Sequence, residues 1–183
     1  MVAKLVPDNI IISDATVLIN FLSTGTFQLV LQSYAGQLHV TDAVVGEIKL
    51  NRHELDAAID AGSVVIHRVP TDKIDHLVRS FSDFHLGEAS CLVLAKEKSW
   101  KVATDDGAAK RFVTSDLGSV YLMTTFDILL EMVNLGQLEK GRVLNLLQGW
   151  RRKRISFIQR LSSRSSKSGW PHSSFRRIAA HLS

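Results

Sequence analysis

The stretch Leu86–Val113, LGEASCLVLAKEKSWKVATDDGAAKRFV, limits this chain's possible folds more than any other. Apolar Leu92, Val93, Leu94 and Ala95 follow Glu88, and Lys96, Glu97, Lys98 and Ser99 break the run. Trp100–Ala103 then reads as a buried strand, stopped by Thr104, Asp105, Asp106 and Gly107. A helix feeding a parallel strand runs antiparallel to it, so it begins beside the strand's end. Ten helical residues span roughly 15 Å and four strand residues roughly 13 Å, so the two lengths match. Glu88 and the Asp105/Asp106 pair are therefore expected at one edge of a sheet.

The rest of the chain repeats this alternation. Asn9–Ser13 is an apolar strand without polar alternation, as in a strand covered on both faces. Asp14 ends it, and helical patterns follow from Ala15 and over Phe27–Tyr34. Leu38–Thr41 and Val64–Val69 read as further strands, with helices over residues 43–50, 52–61 and 71–84 around them. After the central stretch come a short helix at Gly107–Val113, a fifth strand at Ser119–Leu122, and two helices over Thr125–Asn134 and Gln137–Leu147. Strands alternating with helices predict a three-layer α/β/α sandwich around a mainly parallel five-stranded sheet.

Charge divides the chain at residue 149. Residues 1–150 carry 13 Lys/Arg against 18 Asp/Glu, a balance of −5, whereas residues 151–183 carry nine Lys/Arg and no acid. A domain over 1–149 with a basic extension over 150–183 is the expected organisation. Ile155–Leu161 and Phe175–Leu182 in that extension have amphipathic character suited to a partner. No apolar run approaches the ~20 residues that span a bilayer, and no secretory apolar region opens the chain. The expectation is a cytoplasmic protein without membrane association. The single cysteine, Cys91, lies among apolar helix residues with no activating base nearby, which suits a buried structural thiol.

Four acidic positions recur in one geometric place. Asp14 ends the first strand, Glu47 lies on the helix leaving the second, Glu88 opens the helix entering the fourth, and Asp105/Asp106 end that strand. Open α/β sheets bind ligands outside the carboxyl ends of their strands, where the strand order switches. Taken singly, Asp14, Asp105 and Asp106 read as helix N-caps and Glu88 as a favourable charge at a helix start. Capping does not require their joint placement. Like charges about 4 Å apart repel by roughly 4 kcal/mol at an effective dielectric near 20, and a hard divalent cation removes that cost. Mg²⁺ or Mn²⁺ suits oxygen ligands; Cys/His spacing for zinc is absent.

The phrases IISDATVLINFL, VTDAVVGEIKL, LGEASCLVLA and KVATDDGAAKRFV resemble, in order, the four motif blocks of PIN domains. The likeness runs from about Asn9 to Leu147 and is to the branch that includes VapC-type toxin ribonucleases. It implies Mg²⁺- or Mn²⁺-dependent cleavage of RNA by the 1–149 domain. Asp14, Glu47 and Glu88 fall on the family's first three acids. The third is often aspartate elsewhere, and glutamate after glycine suits this branch. The fourth stands two residues after a threonine, which selects Asp106, with Asp105 as an auxiliary. Thr104 would then hydrogen-bond a ligand carboxylate or the attacking water.

The resemblance thus implies a ribonuclease that holds metal through Asp14, Glu88 and Asp106, with Glu47 and Asp105 assisting. It further implies the toxin of a toxin–antitoxin pair, an antitoxin partner and a homodimer. The charge of the basic extension points to gathering RNA through counterion release, with a solubilising tail and the docking of an acidic antitoxin segment as alternatives. Two other classes use the same residues: a non-catalytic RNA- or protein-binding module, and a DNA-directed nuclease or phosphatase.

Overall fold

The computed structural model describes residues 9–12, 14–80 and 84–150. Expectations for the opening seven residues and for the extension beyond Trp150 lie outside the described residues. The chain forms two compact units, residues 1–137 and 138–183. In the second, residues 140–150 are helical.

The first unit holds a five-stranded, all-parallel sheet in the order β3-β2-β1-β4-β5. Its strands are β1 (Ile10–Ile12), β2 (Leu38–Thr41), β3 (Val64–His67), β4 (Lys101–Ala103) and β5 (Leu122–Met123). Its helices are α1 (Ala15–Ser23), α2 (Phe27–Ser33), α3 (Asp42–Glu47), α4 (Arg52–Asp60), α5 (Thr71–Ser80), α6 (Leu86–Lys98), α7 (Gly107–Phe112) and α8 (Thr125–Asn134). This is the expected three-layer α/β/α sandwich. No single helix among the described residues is long and apolar enough to cross a membrane.

Position in the sheet explains the burial of each strand. Central β1 and β2 are buried along their whole length, which is why β1 reads as apolar without a polar face, while in β2 the polar His39 and Thr41 are buried as well. Edge strand β3 leaves Val65 and Ile66 exposed. The first two crossovers step from β1 through β2 to β3. The third, through α5 and α6, carries the chain back past β1 to β4. The direction of strand addition therefore reverses between β1 and β4, which lie side by side with Ile12 opposite Ala103.

Three elements differ from the sequence expectation. The fifth strand was expected over Ser119–Leu122. Instead Ser119–Tyr121 form a 3₁₀ turn after Gly118 (φ 106°), whose carbonyl accepts the Tyr121 N–H at 3.0 Å, and pairing with β4 begins only at Leu122. The helix expected over 43–50 stops at Glu47, because buried Ile48 turns to extended backbone. Trp100 stands outside β4: Ser99 takes the left-handed conformation (φ 54°), and the Trp100 N–H closes the end of α6 on the Ala95 carbonyl.

Candidate active site

Asp14 and Asp106 leave the carboxyl ends of β1 and β4, on the two sides of the reversal in strand order. Each is also the N-cap of the next helix. Asp14 Oδ1 accepts the Thr16 N–H at 2.7 Å; Asp106 Oδ1 accepts the N–H groups of Ala108 and Ala109 at 2.7 and 2.8 Å. Those bonds lock both carboxylates at the rim, half-buried. Capping and clustering are thus compatible, since a cap uses one carboxylate oxygen and leaves the charge facing the crevice.

Glu88 comes from the first turn of α6, and its Oε2 accepts the N–H of His85, the exposed N-cap residue. Burial holds its carboxyl above the usual range, and the charges of Asp106 and Asp14 raise it further. The His85 bond opposes this without cancelling it. Three acids that are 14, 88 and 106 residues into the chain therefore sense one another at one edge of the sheet. Antiparallel packing of α6 against β4 is the cause.

Glu47 is the last residue of α3 and is exposed, with its Oε1 against the backbone of Gly87. A β-carbon at residue 87 would meet that oxygen at 2.8 Å and Val44 Cγ2 at 3.4 Å. Glycine before Glu88 is what lets α3 approach the start of α6. Glu47 thereby stands one residue from Glu88.

Asp105 and Thr104 are used differently from the expectation. Asp105 is 6% exposed, with Oδ1 accepting the Thr125 N–H at 3.1 Å and Oδ2 accepting the Thr125 hydroxyl at 2.6 Å. Burial raises its carboxyl, the Thr125 bonds pull it back, and Asp14 adds to the rise. Rather than assisting at the rim, it ties the exit of β4 to the start of α8. Thr104 is fully buried, and its Oγ1 accepts the Asp106 N–H at 3.1 Å. In place of a ligand contact, that bond shapes the turn that presents Asp106. Thr125 was not singled out from sequence. Its signal is the doubled threonine: Thr124 caps α8 through the Asp127 N–H, leaving Thr125 for another partner.

Among the described residues, no three His, Cys, Asp or Glu side chains are grouped closely enough to hold one metal ion. The donors at the rim are carboxylate oxygens held at mutual repulsion. That set fits a hard cation that keeps part of its water shell and takes one or two carboxylates directly, as Mg²⁺ does. It does not form a closed cage.

The histidines hold one surprise. His39 on β2 and His67 on β3, 28 residues apart, meet at 3.0 Å between Nδ1 and Nε2, and Trp100 stacks on His39 at 4.0 Å. His39 Nε2 is buried without a hydrogen-bond partner among the described residues. Burial, with His67 adding to it, lowers His39 to about 4. The only sequence signal was that both residues fall in strands that turned out to be neighbours. Cys91 is fully buried beside Thr41 and Ser90, and burial pushes its thiol up to about 12. It is an inert core residue.

The domain is thus an α/β/α sandwich with a parallel sheet and acids at its strand-order reversal. A family model described as a PIN domain matches residues 10–161, so the chain belongs to the PIN-domain family. No curated protein and no solved structure matches it.

Proposed function

We propose that this protein is a metal-dependent endoribonuclease. The observation that supports this most directly is that Asp14 and Asp106 cap the helices leaving the neighbouring strands β1 and β4, with Glu88 of α6 close enough for both charges to raise its carboxyl. Capping would need each acid at its own helix and no mutual repulsion. Mg²⁺ or Mn²⁺ held directly by one or two of Asp14, Glu88 and Asp106, and through its water shell by the rest, would supply neutralising charge, water activation and stabilisation of the phosphodiester's developing charge. The chain's own part is positional. Asp14 and Asp106 are immobilised by their caps, Glu88 by the His85 N–H, and Glu47 by its seat against Gly87.

Incubation of the full chain with Mn²⁺ and single-stranded RNA, structured RNA or DNA tests the reading. Cleavage of RNA with DNA left intact is the expected result. Equal cleavage of DNA would reassign the substrate to nucleic acid generally, and no cleavage of any strand would leave a binding module.

The likeness of the four acidic blocks to VapC-type toxins extends the proposal to the toxin of a toxin–antitoxin pair. Expression of the wild-type chain should then arrest growth, and expression of Asp14→Asn should not. Growth unaffected by an actively cleaving enzyme would remove the toxin role and leave the nuclease.

A further inference from the structure

An acidic crevice that takes a polyanion needs a cation at its rim, and α7 supplies one. Arg111 stands four residues after Gly107, and helical residues four apart share a face, with side chains directed toward the helix start. One guanidinium nitrogen, Nη1, lies 3.5 Å from where a β-carbon on Gly107 would sit. The guanidinium therefore lies over the first turn of α7, next to Asp106, the residue that caps it.

Among the described residues, four other cations are paired with acids. Arg52 pairs with Asp56, Arg68 with Asp42, Lys73 with Glu97 and Lys96 with Asp116. The neighbouring Lys110 is directed at Asp105, whose carboxyl its charge lowers. Arg111 takes part in no ion pair with an acid among the described residues, although Asp106 is close. It is exposed, so its fork of N–H donors is open to solvent at the first turn of α7, which Asp106 caps. A guanidinium matches a phosphate in charge and in bidentate geometry.

We propose that Arg111 holds a phosphate oxygen of the RNA strand lying in the acidic crevice. The inference rests on the ribonuclease reading for its substrate class. Its chemistry is that of a positioning residue, since the guanidinium touches the strand's backbone and carries no proton in the reaction. A contact made equally in ground and transition states changes KM and leaves kcat alone.

Binding can be read separately from cleavage by placing Arg111→Gln and Arg111→Lys in full-length Asp14→Asn protein. Affinity for a single-stranded RNA oligonucleotide would be measured across a salt series in EDTA. Arg111→Gln should weaken binding about tenfold at low salt, the loss expected for one charge-assisted contact. It should also flatten the slope of log affinity against log salt by about 0.7, one phosphate contact on a single strand. Arg111→Lys should restore the slope but only part of the affinity, because the ammonium keeps the charge without the fork. In the otherwise wild-type enzyme with Mn²⁺, Arg111→Gln should raise KM by the same factor and leave kcat within about twofold.

Unchanged affinity and salt slope in Arg111→Gln would overturn the assignment even if the enzyme cleaves RNA. Loss of affinity and slope in an enzyme that cleaves nothing would support the phosphate contact while refuting the nuclease reading. Thermal midpoints equal to the parent's, expected for an exposed side chain, would confirm that the variants fold.

Discussion

Glu47 Oε1 occupies the space that a side chain on Gly87 would need, at 2.8 Å from the position of its absent β-carbon. The two residues are 40 apart in sequence, yet they share one space: the glycine admits the carboxylate, and a side chain at 87 would displace it. Alanine at 87 would ordinarily stabilise the helix by up to about 1 kcal/mol over glycine. Here it must push the flexible end of Glu47 aside. Gly87→Ala should therefore leave the denaturation midpoint unchanged or raised, while kcat/KM for RNA falls about 10- to 100-fold, the effect of a group displaced by about 1 Å. Urea unfolding and cleavage kinetics on one preparation check both halves. Full activity would remove Glu47 from the working site.

Asp14→Asn separates charge from capping. Asparagine caps a helix as well as aspartate does, so the bond to the Thr16 N–H survives. What disappears is a negative charge that reaches both Glu88 and Asp105. RNA cleavage should be lost, and the metal-free thermal midpoint should stay level or rise. Asp14→Ala, which also removes the cap, should cost about 1 kcal/mol by comparison. Calorimetric scans in EDTA beside an RNA cleavage assay distinguish the two variants. A catalytically normal Asp14→Asn would refute its assignment as a metal-holding acid.

The adjacent aspartates should fail in opposite ways. Asp105 accepts two bonds from Thr125 in a buried place, and an amide there presents only one oxygen, so Asp105→Asn should destabilise the fold by about 1–3 kcal/mol. Asp106→Asn keeps an acceptor for Ala108 and Ala109 and loses a charge at the crevice, so Mn²⁺ affinity should fall with stability held. Titration calorimetry with Mn²⁺ and urea unfolding of both variants provide the comparison. The reverse pattern would place Asp105 at the crevice.

Acid should weaken the β2–β3 edge through His39. Its folded value near 4 lies below the ordinary 6.5, so its contribution is fully present above about pH 6.5 and is lost as pH falls toward 4. His67, lowered by burial and by Lys98, acts in the same direction. His39→Phe keeps an aromatic ring for Trp100 and cannot be protonated. Its stability at pH 7 should lie within about 1 kcal/mol of wild type, one hydrogen bond's worth. By pH 5 it should be the more stable protein. Parallel stability curves from pH 7 to 4 would show that the histidine pair carries no part of the acid response.

Local pattern made most of the architecture legible. β2 and α8 occupy the expected residues, and the apolar run of Ile10–Ile12 signals a strand covered on both faces. The same logic placed Glu88 and the Asp105/Asp106 pair at one edge, because a helix and its following strand are linked by length alone. The errors came where a backbone turn, rather than a side-chain pattern, ended an element. Gly118 delayed β5, and Ile48 cut α3 short.

By itself, then, the sequence determined which elements form and which edge of the sheet collects the acids, since both follow from periodicity and chain connectivity. Tertiary structure decided what each acid touches. The bonds from Thr125 tie Asp105 to the start of α8, Gly87 admits Glu47, and the return of the chain past β1 sets Ile12 opposite Ala103, so that β1 and β4 end side by side. Those outcomes depend on contacts between residues 20 to 91 positions apart, and no local spacing records which distant side chain will fill a given space.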